Sequence, residues 1–255
     1  MVKLRHLYTK RGKFTFNHSS KEVGRTWFDR SAKLDSLKTL HRICACEACR
    51  TLLVRTPNLW KLGLHGEMIP EHNVLRFPDL EYFECLNKLT LSASFAFEST
   101  VESTLYQGLK LPQTITRITL KYTRLKWEEL LFLQNLPWLE VLRLIKHACC
   151  GPVWDVNELK GFPQLKYLKF DDLDIKEWIA SEVQFLKLEV LVLQNCRKLE
   201  QIPSDFGYLN ELHEIKLVDC RRSAEESARK IQGEQAVRKG DDDCLNLLAI
   251  YNSWR

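Results

Sequence analysis

A chain of 255 residues with 45% hydrophobic content carries enough apolar side chain to fill one large core or two small ones, which excludes a disordered polymer. Its formal net charge of +5 is too balanced to indicate a nucleic-acid binder, and no stretch of eighteen apolar residues marks a membrane span. The nine cysteines are odd in number and lack paired spacing, and the N-terminus has early charges without a signal-peptide core, so the chain is expected to be cytoplasmic rather than disulfide-framed.

In chain order the dominant feature is a hexamer, apolar-x-x-apolar-x-apolar. Two weak copies, "LRHLYT" from Leu4 and "LDSLKT" from Leu34, end in Thr where the third apolar residue would stand. Seven clear copies follow: "LWKLGL" from Leu59, "LNKLTL" from Leu86, "ITRITL" from Ile115, "LEVLRL" from Leu139, "LKYLKF" from Leu165, "LEVLVL" from Leu188 and "LHEIKL" from Leu212. Successive starts lie 23–30 residues apart, at the upper end of the leucine-rich-repeat range. Positions four and six alternate inward on a short strand, and position one anchors the turn that enters it. One unit cannot bury that face alone, whereas stacked units cover one another layer by layer. The expected fold is an α/β leucine-rich-repeat solenoid, a right-handed horseshoe with a parallel concave sheet and an irregular or short-helical convex side.

Between the second and third units, "ICACEAC" places Cys44, Cys46 and Cys49 at Cys-x-Cys-x-x-Cys spacing with His41 nearby. A structural zinc site needs four ligands, and no second pair follows at the usual interval, so the expectation is small loop or buried cysteines with no metal and no cofactor. Trp127–Leu136 and Ile175–Gln184 read as short helical turns on the convex side. Cys196 and Cys220 both fall eight residues after their hexamer starts, at the Asn/Cys position of the repeat, and Leu199, Ile202 and Pro203 supply an apolar return. Ser223 with Glu226 reads as a capping box, with Glu225–Arg229 and Glu226–Lys230 as i,i+4 pairs of a polar capping helix. The domain reading is residues 1–222 as about nine repeat units, 223–239 as the capping helix, and 240–255 as a tail without an assigned role.

Phosphate-loop, His-Glu-x-x-His and Gly-x-Ser-x-Gly signatures are missing, which argues against an enzyme. The variable strand positions carry more information. On the concave side they include Trp60, Lys61, His65, Lys88 and Arg117, then Lys121, Arg143, Lys166, Tyr167, Lys169 and Lys216. Asp171, Glu189 and Glu214 share that side. Positions two, three, five and seven of the seven clear hexamers hold eight basic residues against four acidic ones. This is either an ordinary solvated face or a basic stripe for an acidic protein surface, with Trp60 and Tyr167 as anchors. The mixed signs and the lack of a nucleic-acid motif disfavour nucleic acid.

"RTPNLWKLGLHG", "LPWLEVLRLIKHACCGPVWDV", "FPQLKYLKFDDLDIKEWI" and "KLEVLVLQNCRKLEQIPSDFGYLNELHEIKLVDCRRSAEESARKI" resemble the leucine-rich-repeat region of plant coiled-coil NLR disease resistance proteins, more narrowly the late-blight resistance homologues. The resemblance covers about residues 1 to 232. It implies pathogen perception by protein binding: to a pathogen effector, to a guarded host protein, or to the receptor's own nucleotide-binding module. No such module precedes Leu4 here, so a truncated or partial chain is expected. The alternatives are a substrate-receptor-like subunit of a ubiquitin ligase, or a stand-alone decoy or regulator of a full-length receptor.

Overall fold

The computed structural model of the chain describes residues 4–8, 33–45, 47–69, 71–93, 102–105, 109–157, 160–239 and 248–251. Among them, ten strands form one sheet in which each strand hydrogen-bonds to the next strand of its kind along the chain, all in parallel. From first to tenth they are His6–Tyr8, Thr39–Cys44, Lys61–His65, Lys88–Ser92, Arg117–Lys121, Val141–Ile145, Tyr167–Asp171, Val190–Gln194, Glu214–Val218 and Leu248–Tyr251.

The seven clear hexamers produce the third to ninth strands, each beginning two residues after its hexamer start. The apolar spacing explains the burial. Position one is buried in every case, from Leu59 to Leu212, and positions four and six form two continuous buried rows such as Leu142 and Leu144 beside Leu168 and Phe170. Position-for-position register across the sheet follows, because a slip of one residue would turn every leucine outward.

The second unit departs from its expected register. Leu40 pairs with Leu62 and Ile43 with Leu64, so three residues of the second strand span two of the third. The unit therefore starts at Leu37, three residues beyond Leu34, and reads Leu37-x-x-Leu40-x-x-Ile43 with all three buried. Arg42, at φ 61°, takes up the extra residue as a bulge.

Behind the sheet the chain returns through short elements: the helix α1, Glu47–Val54, 3₁₀ segments at Trp127–Asn135, Glu182–Gln184 and Ser204–Tyr208, and small two- and three-stranded ladders. The expected turn at Trp127–Leu136 is thus a 3₁₀ helix. Ile175–Gln184 is only partly one, because Glu177–Ile179 is a strand beside Val153–Asp155. Aromatic rings fill the space between sheet and return. Trp127 stacks on Trp154 (5.0 Å between centroids), Trp154 on Trp178 (5.5 Å), and Trp178 meets Phe206 edge-on (5.0 Å).

The C-terminal helix α2 spans Arg222–Lys239. Ala224, Ala228, Ile231 and Gln235 make its buried stripe, and Gln235 Nε2 donates to the Phe206 and Leu209 carbonyls (3.2 and 3.0 Å). The proposed capping box is not formed. Ser223 lies inside the helix with its hydroxyl unpartnered, and Glu226 pairs back to Arg222 (3.1 Å) rather than forward to Lys230. Nor does α2 close the sheet. That edge is taken by the tenth strand, whose Leu248 and Ile250 align with Ile215 and Leu217. The sequence there reads Leu245-x-x-Leu248-x-Ile250, a further hexamer hidden by the length of the helix inserted before it.

Candidate protein-binding face

Strand geometry decides what the open face displays. With positions four and six turned inward, positions three, five and seven of each unit point away from the core and line up across the sheet in register. The position-three row runs Lys61, Lys88, Arg117, Val141, Tyr167, Val190, Glu214. Three cations therefore stand directly opposite one another on adjacent strands. The position-five row brings Arg143 beside Lys169 and, two strands further, Lys216.

The cations fall into two groups that the sequence does not distinguish. Lys166 pairs with Glu140 (3.2 Å), and Lys169 pairs with Asp171 (3.0 Å) while donating to Gln194 Oε1 (3.1 Å). Lys61, Lys88, Arg117, Lys121 and Arg143 have no carboxylate partner among the described residues. Three of them have aromatic neighbours instead. Lys88 Nζ sits 4.1 Å from the centre of the Trp60 ring, the Arg143 guanidinium 5.2 Å from that of Tyr167, and Lys121 Nζ 5.2 Å from that of Tyr122. Such contacts are worth about 0.5–1 kcal/mol at exposed sites, enough to bias a rotamer but not to neutralise a charge. Partial desolvation, followed by the charges of Arg117, Lys61 and Arg143, lowers the Lys88 ammonium pKa below its ordinary value.

The remaining predicted residues are placed as follows. Trp60 is 45% exposed and forms the apolar edge of the cationic group, Tyr167 is half-buried beneath Arg143, and Lys216 lies over Tyr251 (5.2 Å). His65 is half-buried and hydrogen-bonded through Nδ1 to Ser92 Oγ (3.2 Å), so its ring is engaged within the sheet. His41 is its neighbour on the face and packs flat against Gly63, where a Cβ would come within 2.8 Å of the ring. Burial lowers the pKa of both imidazoles, with Lys61 and Arg42 adding to the effect at His41.

Two contributors escape sequence reading because they lie just past the strands. Tyr122 and Lys146 occupy the residue after the fifth and sixth strands, at φ 57° and 50°, and Lys146 Nζ also approaches the Tyr122 ring (6.0 Å). The equivalent residues in the next three units are Asp172, Asn195 and Asp219, also left-handed. A repeated left-handed residue at hexamer position eight was a readable signal, since Asp and Asn tolerate that conformation.

Cys44 ends the second strand, Cys49 is buried in α1, Cys46 lies outside the described residues, and no group of three possible metal ligands forms among the described residues. Cys196 is fully buried and donates to the Gln194 carbonyl (3.4 Å), with Cys220 in the equivalent place one unit later. A cavity of about 270 Å³ behind the sheet, between Trp127 and Val153, is smaller than the roughly 300–1,000 Å³ of small-molecule sites. No helix among the described residues is long and apolar enough to cross a membrane.

No family model matches the chain. It is 34% identical over 92% of its length to the late blight resistance protein homolog R1B-16 of Solanum demissum, covering 17% of that protein. It is 33% identical over 92% of its length to the late blight resistance protein R1-A of the same plant, again covering 17% of it. A third relative, homolog R1B-8, is 34% identical over the whole chain, which spans 20% of that protein. The chain thus corresponds to about a fifth of the length of the proteins it matches.

Proposed function

We propose that this chain, a relative of the late blight resistance proteins and equivalent to their NLR-type leucine-rich-repeat region, is the recognition and regulatory part of a plant intracellular immune receptor. In this reading it is a right-handed solenoid, horseshoe-shaped, whose concave sheet binds protein and performs no catalysis. The observation that carries the reading is the contrast between the two sides of the strands. Inward rows are uniformly aliphatic or phenylalanine, whereas outward rows change from unit to unit and carry Trp60, Lys88, Arg117 and Arg143. Stacking alone needs only the inward set, and the side free of return segments is the one on which such arrays bind partners. The partner class is a pathogen effector, a guarded host protein, or the nucleotide-binding module of a receptor.

The test is proximity labelling in leaf tissue, with and without infection, using the chain and two variants. Trp60→Ala with Arg143→Ala alters the open face, and Trp138→Ala with Tyr208→Ala alters exposed residues away from it. Loss of labelled partners from the open-face variant alone supports the reading. Equal labelling by all three proteins overturns it.

A further inference from the structure

The open face is polarised along the array, and we propose that its third to sixth strands take a short, carboxylate-rich segment of a partner protein. This rests on the protein-binding reading above and names the chemistry of the partner at one half of that face.

The polarisation is structural. Lys61, Lys88, Arg117, Lys121 and Arg143 have no carboxylate partner among the described residues, and three of them stand directly opposite one another at the strand spacing of about 4.8 Å. Like charges held opposite one another are destabilising, and bound carboxylates would relieve that repulsion. From the seventh strand onward the balance reverses. Lys166 and Lys169 there are paired with Glu140 and Asp171, Lys216 lies over Tyr251, and Glu189 and Glu214 are left without a cation among the described residues.

The length of the occupant follows from these boundaries. Three strand-to-strand steps separate Lys61 from Arg143's strand, about 14 Å. Carboxylates one helical turn apart, about 5–6 Å, or alternating along an extended chain, about 6.7 Å, place about three in that distance. A long polyanion laid across the face would run onto Glu189 and Glu214 and be repelled, which disfavours nucleic acid. The rings of Trp60, Tyr167 and Tyr122 hold Lys88, Arg143 and Lys121 in place before a ligand arrives, reducing the rotamer entropy lost on binding.

The experiment is fluorescence anisotropy on the purified full chain with three labelled probes. These are a peptide of about twelve residues with a central run of glutamates, the same peptide with glutamines, and a single-stranded oligonucleotide of about twelve nucleotides. The expected result is glutamate-peptide binding that weakens as salt rises from about 50 to about 300 mM, and that falls about tenfold in Lys88→Glu with Arg117→Glu. Lys176→Glu with Lys198→Glu, an equal charge change at lysines outside the ten-stranded sheet that pair with Glu200 and Asp174, should leave it within about threefold. Lys88→Gln with Arg117→Gln removes the charges without reversing them and serves if the reversal disturbs folding. Equal binding of both peptides, equal loss in both variant pairs, or tighter binding of the oligonucleotide overturns the proposal. Failure here with leaf partners still lost from the open-face variant removes the charge assignment alone; failure of both removes protein recognition as well.

Discussion

Replacing Trp154 by alanine tests the claim that the aromatic column, rather than the leucine rows alone, holds the return segments to the sheet. Trp154 is 1% exposed and contacts five rings: Trp127, Phe162, Phe170, Trp178 and Phe185. Burying roughly 200 Å² of tryptophan at about 25 cal/mol/Å² gives about 5 kcal/mol, at the top of the roughly 3–5 kcal/mol measured for such truncations. We take about 4 kcal/mol. With an unfolding entropy of roughly 2.1 cal/mol/K per residue, this lowers the melting midpoint by about 7 °C. Thermal unfolding followed by far-ultraviolet circular dichroism reads the shift, with Trp138→Ala, at a 60% exposed position, as the control expected to move by less than about 0.5 kcal/mol. A Trp154→Ala shift no larger than the control would show that the column does not hold the return segments to the sheet.

Four further outcomes follow from backbone and titration. At Gly161 the φ is +71° and a Cβ would lie 2.5 Å from Gln184 Cα, so Gly161→Ala should cost more than about 2 kcal/mol in urea unfolding, and a neutral result refutes the close approach. Asn195, left-handed at φ 53°, should tolerate glycine but lose about 1–2 kcal/mol with valine; equal midpoints for the two would contradict the assigned conformation. His41 and His65 have folded pKa values below 6.5, so the unfolded chain binds more protons as pH falls through that value. Stability should be complete above about pH 6.5 and decline toward pH 5, and His41→Gln with His65→Gln should flatten that decline; an unaltered slope refutes it. Among the described cysteines, native alkylation read by mass spectrometry should label exposed Cys85 first. Burial pushes Cys149 well up and Cys150 up to about 11, so early labelling of Cys150 would overturn this order.

The repeat spacing by itself determined the parallel ladder. Apolar residues at positions one, four and six leave only one arrangement that buries them, and the seven clear hexamers appear as seven strands with those positions inside. Where an insertion intervened, spacing lost its hold. A bulge at Arg42 moved the second unit to Leu37, and the eighteen-residue α2 concealed the hexamer that becomes the tenth strand. Helix-end chemistry misled for a related reason: Ser223 and Glu226 have the capping-box spacing, but where α2 packs against the Ser204–Tyr208 segment placed Ser223 inside the helix.

The sequence also named the outward cations as a set, because alternation along a strand is local. It could not divide them. Whether Lys169 is neutralised while Lys88 is not depends on which side chains stand beside each lysine: Asp171 and Gln194 at Lys169, but Arg117, Lys61 and Trp60 at Lys88. Most of these neighbours lie 25 to 29 residues away in the chain, and only the register of stacked units brings them together. Inward burial is thus set by each unit's own alternation, whereas the charge left over on the open face is a property of pairs of units and is decided when they stack.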